Sequence, residues 1–290
     1  MILIADSGST KTDWRIIDKN EVIAQQQTSG INPVHQTKEA IKDILSMLLE
    51  PHRILPAKKE TEVRLSQIHF YGAGCSGSYI RLMSEVLAGT FQISLEQVHV
   101  YSDMLGAARA VCGRDAGIAC ILGTGANSCY YDGKDIVDNI PPLGYILGDE
   151  GSGAVLGKHF LNALFKRELP EELCQLFLTE CGLTYADIIE RVYRQPMANR
   201  FLATTSVFIG KHLADYHELN QLVIDNFRAF FRKNVSKYQH SELPVGAVGS
   251  IAHHYQSQLR AAAALEGFRM GNIIKSPIDG LIAYHNNTKG

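Results

Sequence analysis

The stretch ILIADSGSTKTDWRIIDKNEVIA, residues 2–24, decides the fold expected for this chain. Its first four residues are apolar and predict a short buried strand, and the turn-forming DSGSTKT at residues 6–12 interrupts the apolar pattern. Further strands are expected at residues 14–17 and 22–24, on either side of a turn at Lys19 and Asn20. The chain is therefore predicted to open with a meander of three antiparallel strands.

The pattern that follows is typical of an α/β protein. Apolar runs predict alternating strands and helices at residues 68–71, 79–87, 98–101 and 104–111, and such an alternation gives parallel strands joined by crossover helices. After RDAG at residues 114–117 the strand, turn, strand pattern starts again, followed by a mostly helical region. We therefore expect two α/β lobes with mixed sheets, residues 1–114 and 115–290, with the last helix free to pack back on the first lobe.

The composition argues against a nucleic-acid-binding protein and against a membrane protein. The chain has 290 residues, 46% of them hydrophobic, and a formal net charge of −2. This balance offers no basic patch for nucleic acid or a membrane surface, and no apolar run is long enough to span a bilayer. The N-terminal apolar run stops at Asp6, which is too short for a signal peptide. The six cysteines form no C-x-x-C pair, so reduced thiols in a cytoplasmic protein are expected.

The hairpin at residues 6–12 is a candidate phosphate site. Glycine and hydroxyl residues in one turn can present several backbone N–H groups and hydroxyls to a phosphate, and Asp6 could hold a hydrated Mg²⁺. Thr10 and Thr12 are expected on the same face, with both hydroxyls directed at one ligand. The alternative is an ordinary polar hairpin. The candidate nucleotide contacts here are Asp6, Gly8, Ser9, Thr10, Lys11 and Thr12.

A second hairpin repeats this chemistry in the second lobe. The residues Gly123, Thr124 and Gly125 again join two predicted strands with small and hydroxyl-bearing side chains. A lone G-T-G usually marks only a tight turn. Its position in a repeated strand framework indicates a second phosphate contact, so that the two hairpins would clamp an oligophosphate in a cleft between the lobes.

Asp103 is the candidate catalytic carboxylate. It follows the strand at residues 98–101 and opens the next helix, at the edge of a parallel sheet where α/β proteins place their ligands. There it could orient and deprotonate a hydroxyl that attacks a γ-phosphoryl group. The alternative is that Ser102 or Asp103 only caps the helix.

Six short strings together resemble one known family. They are DSGSTKT at residues 6–12, NP at 32–33, SD at 102–103, GTGAN at 123–127, LGDEGSG at 147–153 and VGS at 248–250. In this order they resemble the N-acetylglucosamine kinase and BadF/BadG/BcrA/BcrD ATPase family. This family belongs to the actin-like ATPase superfamily of sugar kinases, Hsp70 and actin. The resemblance extends from residue 2 to about residue 252.

The resemblance implies an ATP- and Mg²⁺-dependent kinase that phosphorylates an amino sugar, with N-acetylglucosamine as the first candidate. It places the active site in the cleft between two actin-like, ribonuclease H-like lobes. It implies small-molecule partners only, and a homodimer stays open. It assigns Thr10, Thr124 and Gly249, with the neighbouring Ser250, to ATP. The residues expected to line the sugar site are Asn32, Gly74, Asp103, Ala126, Asn127, Leu143, Gly144 and Asp149.

One string departs from the family pattern. Many members carry Gly-Gly-Trp-Gly before the G-D-E-G string, whereas this chain has PPLG at residues 141–144. Leu143 in place of the aromatic residue removes a stacking surface near the expected sugar. The hexosamine that is preferred therefore stays open.

Three alternatives remain at this stage. The GAGCSG string at residues 72–77 fits the dinucleotide fingerprint G-x-G-x-x-G, although Asp103 lies 26 residues after Gly77 instead of about 20. We interpret these glycines instead as the wall of the sugar cleft. A BadF-type ATPase that activates a partner enzyme would need paired cluster cysteines, which the spacing does not offer. A sugar sensor without catalytic activity is the third alternative.

Overall fold

The computed structural model describes residues 1–8, 10–49 and 65–286. The predicted phosphate contact Ser9 lies outside the described residues. Two prolines and several basic side chains predict an exposed loop at residues 51–65, and all of it except Leu65 also lies outside them. The chain forms two compact units, Met1–Arg114 together with the segment from Pro277 onward, and Asp115–Ser276. In the three described ranges, no helix is long and apolar enough to cross a membrane.

Each unit contains one five-stranded mixed sheet, and the two sheets have the same topology. Their orders are β3-β2-β1-β4-β5 and β8-β7-β6-β9-β10. In both, the first three strands are antiparallel and the last two run parallel to the central strand. The strands are β1 Ile2–Ser7, β2 Lys11–Asp18, β3 Glu21–Ser29, β4 Gln67–Gly72, β5 Val98–Ser102, β6 Gly117–Leu122, β7 Ala126–Tyr131, β8 Ile136–Asp138, β9 Val245–Val248 and β10 Met270–Ile274. The predicted meander and the repeated mixed α/β architecture are confirmed.

Helices cover the sheets and build most of the second unit. They are α1 Lys38–Ser46, α2 Ser78–Phe91, α3 Asp103–Cys112, α4 Gly144–Leu147, α5 Gly153–Phe165, α6 Glu171–Cys181, α7 Tyr185–Tyr193, α8 Ala198–His212, α9 His217–Lys233, α10 Ser250–His254, α11 Gln256–Leu265 and α12 Ile278–Asn286. The helical spacing of apolar residues predicts one continuous helix over residues 251–265, and this prediction is wrong. Tyr255, with φ −109° and ψ 31°, leaves the helical region and separates α10 from α11.

Apolar side chains from both faces of each sheet form the cores. In the first unit, Trp14 and Phe70 are fully buried, with ring centroids 5.9 Å apart, and the indole N–H of Trp14 donates to Thr28. The opposite face of this sheet is covered by α3 and α12, where Gly280 of α12 packs directly on Ala110 of α3. In the second unit, phenylalanines of α5, α6, α8 and α9 pack around one another beside β6. These cores fix the strand ends that carry the candidate site residues.

Candidate active site

The carboxyl ends of three parallel strands meet at one edge of the first unit's sheet. Ser7 of β1 lies opposite Gly72 of β4, which lies opposite Ser102 of β5. One residue earlier, Asp6 aligns with Tyr71 on the face that α3 and α12 cover. Because Asp103 directly follows Ser102, both candidate carboxylates lie at this edge. The position predicted for them from the strand pattern is the one that they occupy.

Asp6 has an unusual electrostatic environment. Burial, reinforced by the nearby carboxylates of Asp13 and Asp103 and opposed by the charge of Lys11, raises the pKa of Asp6 to about 7. Asp13 is the cross-strand partner of Asp6. Burial would raise the pKa of Asp13 as well, but hydrogen bonds from Lys11 and Gln27 outweigh it and hold that pKa below its ordinary value. Asp13 therefore stays ionised, and the negative charge at this edge suits a divalent cation.

Asp103 is the first residue of α3, while Ser102 is its N-cap. The Ser102 hydroxyl accepts from the Leu105 N–H at 3.2 Å, and Asp103 Oδ1 accepts from the Met104 N–H at 2.9 Å. Burial raises the pKa of Asp103, and the Met104 hydrogen bond opposes this shift. Burial and the nearby charge of Asp103 also raise the pKa of Cys75 to about 12. The helix is thus capped by Ser102, and Asp103 retains a half-buried carboxylate with raised basicity.

The turn that carries Asn32 packs against the β4–α2 loop of the same unit. Gly74, with φ 76°, is so close that a Cβ on it would overlap the amide oxygen of Asn32. That oxygen accepts from the Val34 N–H at 3.0 Å, and the Asn32 N–H donates to the Gln36 side chain at 2.8 Å. In the described part of the chain, the Asn32 side-chain NH₂ has no hydrogen-bond partner. It is a fixed donor available to a ligand.

The first hairpin separates its two threonines. Thr10 is exposed, whereas Thr12 is fully buried and its hydroxyl lies 2.7 Å from the Ser7 hydroxyl. The prediction that both hydroxyls face one ligand is therefore wrong, because β2 begins at Lys11, so that Thr12 belongs to the strand and Thr10 to the turn before it. Gly8 is exposed, and Lys11 is exposed with its Nζ 2.8 Å from Asp13 Oδ2. Among the described residues 6–12, Gly8, Thr10 and Lys11 are the exposed ones.

The second hairpin lies at the corresponding edge of the second unit's sheet. Gly249, with φ 125°, packs so tightly on it that a Cβ would overlap the carbonyl oxygen of Leu122. The start of α5 is tied to the same turn, since the Gly153 N–H donates to the Gly123 carbonyl at 2.8 Å and the Ala154 N–H to the Thr124 carbonyl at 3.1 Å. Thr124 and Ser250 are exposed. The structure therefore brings Gly123, Thr124, Gly125, Gly249 and Ser250 together.

Asp149 closes a loop beside the second hairpin. Its backbone has φ 53°, and its N–H donates to the Pro142 carbonyl at 2.8 Å. Burial raises the pKa of Asp149, while the carboxylate accepts from the backbone N–H of Ala126. A Cβ on Gly125 would lie 3.1 Å from Asp149 Oδ2. Asp149 is thus held against the turn between β6 and β7.

The Asn127 side chain is held by hydrogen bonds, whereas the Leu143 side chain is exposed to solvent. Asn127 Oδ1 already accepts from the Ser128 N–H and from Asn139, each at 2.9 Å, which leaves its NH₂ group as donor. Leu143 has φ 63°, and its side chain is 61% exposed. Gly144 is also exposed and begins α4. The departure from the family string therefore lies at the surface of the second unit, where a larger side chain would meet no core.

The dinucleotide alternative does not fit the first unit's sheet. The glycine string does follow a strand, β4, and precede a helix, α2. However, β4 pairs with β1, whose other neighbour β2 is antiparallel, so this sheet is not the open parallel sheet of a dinucleotide-binding domain. Gly72 has a packing role instead, because a Cβ there would lie 2.9 Å from Cys75 Sγ.

The described residues include no group of three or more His, Cys, Asp or Glu side chains that could hold a metal ion. Sequence reasoning missed two residues that support the site, Ser7 and Gln36. Both are ordinary polar residues, and only strand register and the turn after β3 bring them to Asn32 and Thr12.

Comparison with solved structures places the fold in a known class. A protein from Porphyromonas gingivalis, provisionally named an N-acetylglucosamine kinase, is 47% identical over 100% of both chains, with a TM-score of 0.91. A protein of the same provisional name from Chromobacterium violaceum is 17% identical over 98% of both chains, with a TM-score of 0.71. A ROK family glucokinase from Streptomyces griseus, in complex with glucose and AMPPNP, is 13% identical over 98% of this chain and 97% of its own, with a TM-score of 0.58.

No family model matches the chain, and no curated protein matches it. Two mixed sheets of identical topology, each with a small-residue hairpin at the carboxyl edge of its parallel strands, define an actin-like ATPase fold of the kind found in sugar kinases. At 47% identity over its whole length, the chain belongs to the N-acetylglucosamine kinase and BadF/BadG/BcrA/BcrD ATPase family.

Proposed function

We propose that this protein is a kinase that transfers the γ-phosphoryl group of Mg-ATP to a hydroxyl of an amino sugar, with N-acetylglucosamine as the first candidate substrate. The observation that carries the proposal is the half-buried carboxylate of Asp103 at the carboxyl edge of three parallel strands, beside Asp6 and the loop of Gly74. The provisional name of the Porphyromonas gingivalis relative and the nucleotide analogue bound by the Streptomyces griseus glucokinase support the same reaction.

Asp103 is the general base in this proposal. Its carboxylate accepts the proton of the sugar hydroxyl while the hydroxyl oxygen forms a bond to the γ-phosphorus. The bond between that phosphorus and the β–γ bridging oxygen breaks, and ADP leaves. The raised pKa of Asp103 suits proton acceptance, because a base acts best when its pKa is not far below the working pH. We assign sugar contacts to the NH₂ group of Asn32 in the first unit, and to Asn127 and Asp149 in the second unit.

We assign phosphate contacts of ATP to the exposed Thr10 hydroxyl and the Gly8 backbone in the first unit, and to the exposed Thr124 hydroxyl and the Gly249 backbone in the second unit. Asp6 would hold Mg²⁺ through water, and the ion when bound neutralises charge on the transferring phosphoryl group. The crowding of negative charge around Asp6 fits such an ion.

The proposed function is tested by assaying ADP formation with purified protein and Mg-ATP over a panel of hexoses and N-acetylhexosamines, with the phosphosugar identified by ³¹P NMR. N-acetylglucosamine is expected to give a phosphosugar in step with ADP. ADP release without a phosphosugar would favour the partner-activating ATPase, and an anaerobic iron assay would examine it. Sugar binding without ADP release would favour the sensor.

The pKa of Asp6 predicts proton release when Mg-ATP binds. A carboxyl group with a pKa of about 7 is about half protonated at pH 7 and must ionise to hold the hydrated cation, so about half a proton leaves per site. The release rises toward one proton at pH 6 and approaches zero above pH 8.5. Calorimetric titration in buffers of different ionisation enthalpy measures it. Asp6→Asn is the control, and equal release from this variant would contradict the assignment.

Leu143 predicts modest substrate discrimination. Leu143→Trp is expected to shift the kcat/KM ratio toward N-acetylglucosamine over glucosamine by roughly 10- to 200-fold, the range for one apolar contact. The exposed position accepts the indole without repacking the core. Ile146→Trp is the matched control, because Ile146 is 71% exposed on the same loop and helix. A wild-type preference above roughly 10⁴-fold for one sugar would mean that hydrogen bonds set specificity instead.

A further inference from the structure

Two buried hydroxyls link the first hairpin to the turn that carries Asn32. Ser7 and Thr12 are fully buried, and their hydroxyl oxygens lie 2.7 Å apart. The Ser7 hydroxyl donates to the carbonyl of Ile31 at 3.0 Å and accepts from the N–H of Ile31 at 2.9 Å. Both polar groups of the Ile31 backbone are therefore bound to one side chain, 24 residues earlier in the chain.

Proton counting gives this network a direction. A serine hydroxyl has one proton, and if Ser7 donates it to Ile31 then Thr12 must donate to Ser7. The other acceptor within reach of Thr12, the carbonyl of Ser29, is more distant at 3.2 Å. The network then runs from Thr12 through Ser7 to the carbonyl of Ile31. Hydrogen bonds in such a chain polarise and strengthen one another.

The carbonyl of Ile31 belongs to the peptide group that joins Ile31 to Asn32. Fixing this peptide group fixes where the Asn32 side chain starts. Gln36 completes the support, since its side chain accepts from the Asn32 N–H at 2.8 Å and donates to the Gly30 carbonyl at 3.0 Å. With the Asn32 amide oxygen held by Val34, the Asn32 NH₂ group has one defined direction.

We propose that Ser7 and Thr12 are positioning residues that hold Asn32 in the orientation required to bind the sugar. This inference rests on the proposed kinase function. The sequence indicates Thr12 as a phosphate contact, whereas here Thr12 supports the residue that binds the sugar. Thr10, two residues earlier and exposed, stays with the nucleotide. In this proposal Thr10 contacts the nucleotide, and Thr12 of the same hairpin supports binding of the sugar.

Thr12→Val tests this division, because valine keeps the shape of threonine and removes the hydroxyl. The sugar KM is expected to rise roughly 5- to 50-fold, since Ser7 loses a buried partner and the Ile31 peptide loses its fixed position. The nucleotide KM is expected to stay within about twofold, since no phosphate contact is lost. Thr12→Ser retains the hydroxyl and should restore the wild-type sugar KM. Thr10→Val should show the opposite pattern, with weaker nucleotide binding and an unchanged sugar KM.

Hydrogen–deuterium exchange provides a readout independent of activity. In Thr12→Val, and in Ser7→Ala as a second variant, the backbone amides of residues 31, 32 and 34–36 should exchange faster than in the wild type. A general loss of stability would lower the active fraction and the apparent kcat without changing the sugar KM. A raised nucleotide KM with an unchanged sugar KM in Thr12→Val would overturn the inference. Failure of the wild-type protein to phosphorylate any hexosamine would overturn the proposed function instead.

Discussion

Asp103→Asn is expected to lower kcat by roughly 10²–10⁴, the range for losing a general base, while sugar and ATP binding stay nearly unchanged. The substitution keeps the size of the side chain and its acceptor for the Met104 N–H, which lies 2.9 Å from Asp103 Oδ1. What it removes is the carboxylate that accepts the proton of the attacking hydroxyl in the proposed reaction. Steady-state kinetics and calorimetric binding of both substrates measure the two effects separately.

Ser102→Ala is the matched control, because Ser102 is the N-cap of the same helix. It is expected to lower the free energy of unfolding by about 1 kcal/mol and to leave kcat near the wild-type value. If Asp103→Asn retained more than half of the wild-type kcat, the role of Asp103 would be confined to the start of α3. The pair of variants therefore separates the catalytic role of this helix start from its structural role.

Gly74→Ala is expected to lower kcat/KM for the sugar by roughly 10²-fold, the size of effect that misplacing a group by about 1 Å can have. The new Cβ would overlap the Asn32 amide oxygen and lie 2.9 Å from Val34 Cγ2, so that the Asn32 side chain must move. Nucleotide affinity should change little, because the hairpin at residues 6–12 is not displaced. Sugar and nucleotide titrations monitor the two sites.

Gly77→Ala controls for backbone strain in this comparison. Gly77 also has positive φ, 52°, but a Cβ there meets nothing within 4 Å. Both variants carry the strain of a non-glycine residue at positive φ, and only Gly74→Ala carries the overlap with Asn32. Equal losses of sugar kcat/KM in the two variants would show that loop strain, and not the position of Asn32, causes the effect.

The fold could be predicted where local patterns determine it. The apolar run at residues 2–5 and the turn at Lys19 and Asn20 led directly to the antiparallel meander, and Ser102 caps α3 as its residue type suggests. The break at Tyr255 could not be predicted, because residues 251–265 keep a helical apolar period on both sides of it. Periodicity reports which face is buried, and it does not report where one helix stops and the next begins.

Some residues of the candidate site could likewise be placed from local sequence patterns, and others could not. Asp103 and Asp6 could be placed from the strand ends alone, since parallel strands end at a common edge. The different directions of Thr10 and Thr12 depend on β2 beginning at Lys11, so that Thr12 belongs to the strand and Thr10 to the turn before it, and the sequence does not mark that boundary. The contact between Asn32 and Gly74 joins segments 42 positions apart in the sequence, so no local pattern could reveal it.

The return of α12 to the first unit makes that unit discontinuous in the chain. Residues 115–276 lie between its two segments, and α12 supplies Ile278 and Leu281 to the packing on Ile4 and Tyr71. A ribosome releases residues in order, so the second unit is the first to have all of its residues. The sheet that carries both candidate carboxylates keeps one face incomplete until α12 emerges. Synthesis therefore delays completion of this sheet's packing until α12 has been translated, after the whole of the second unit.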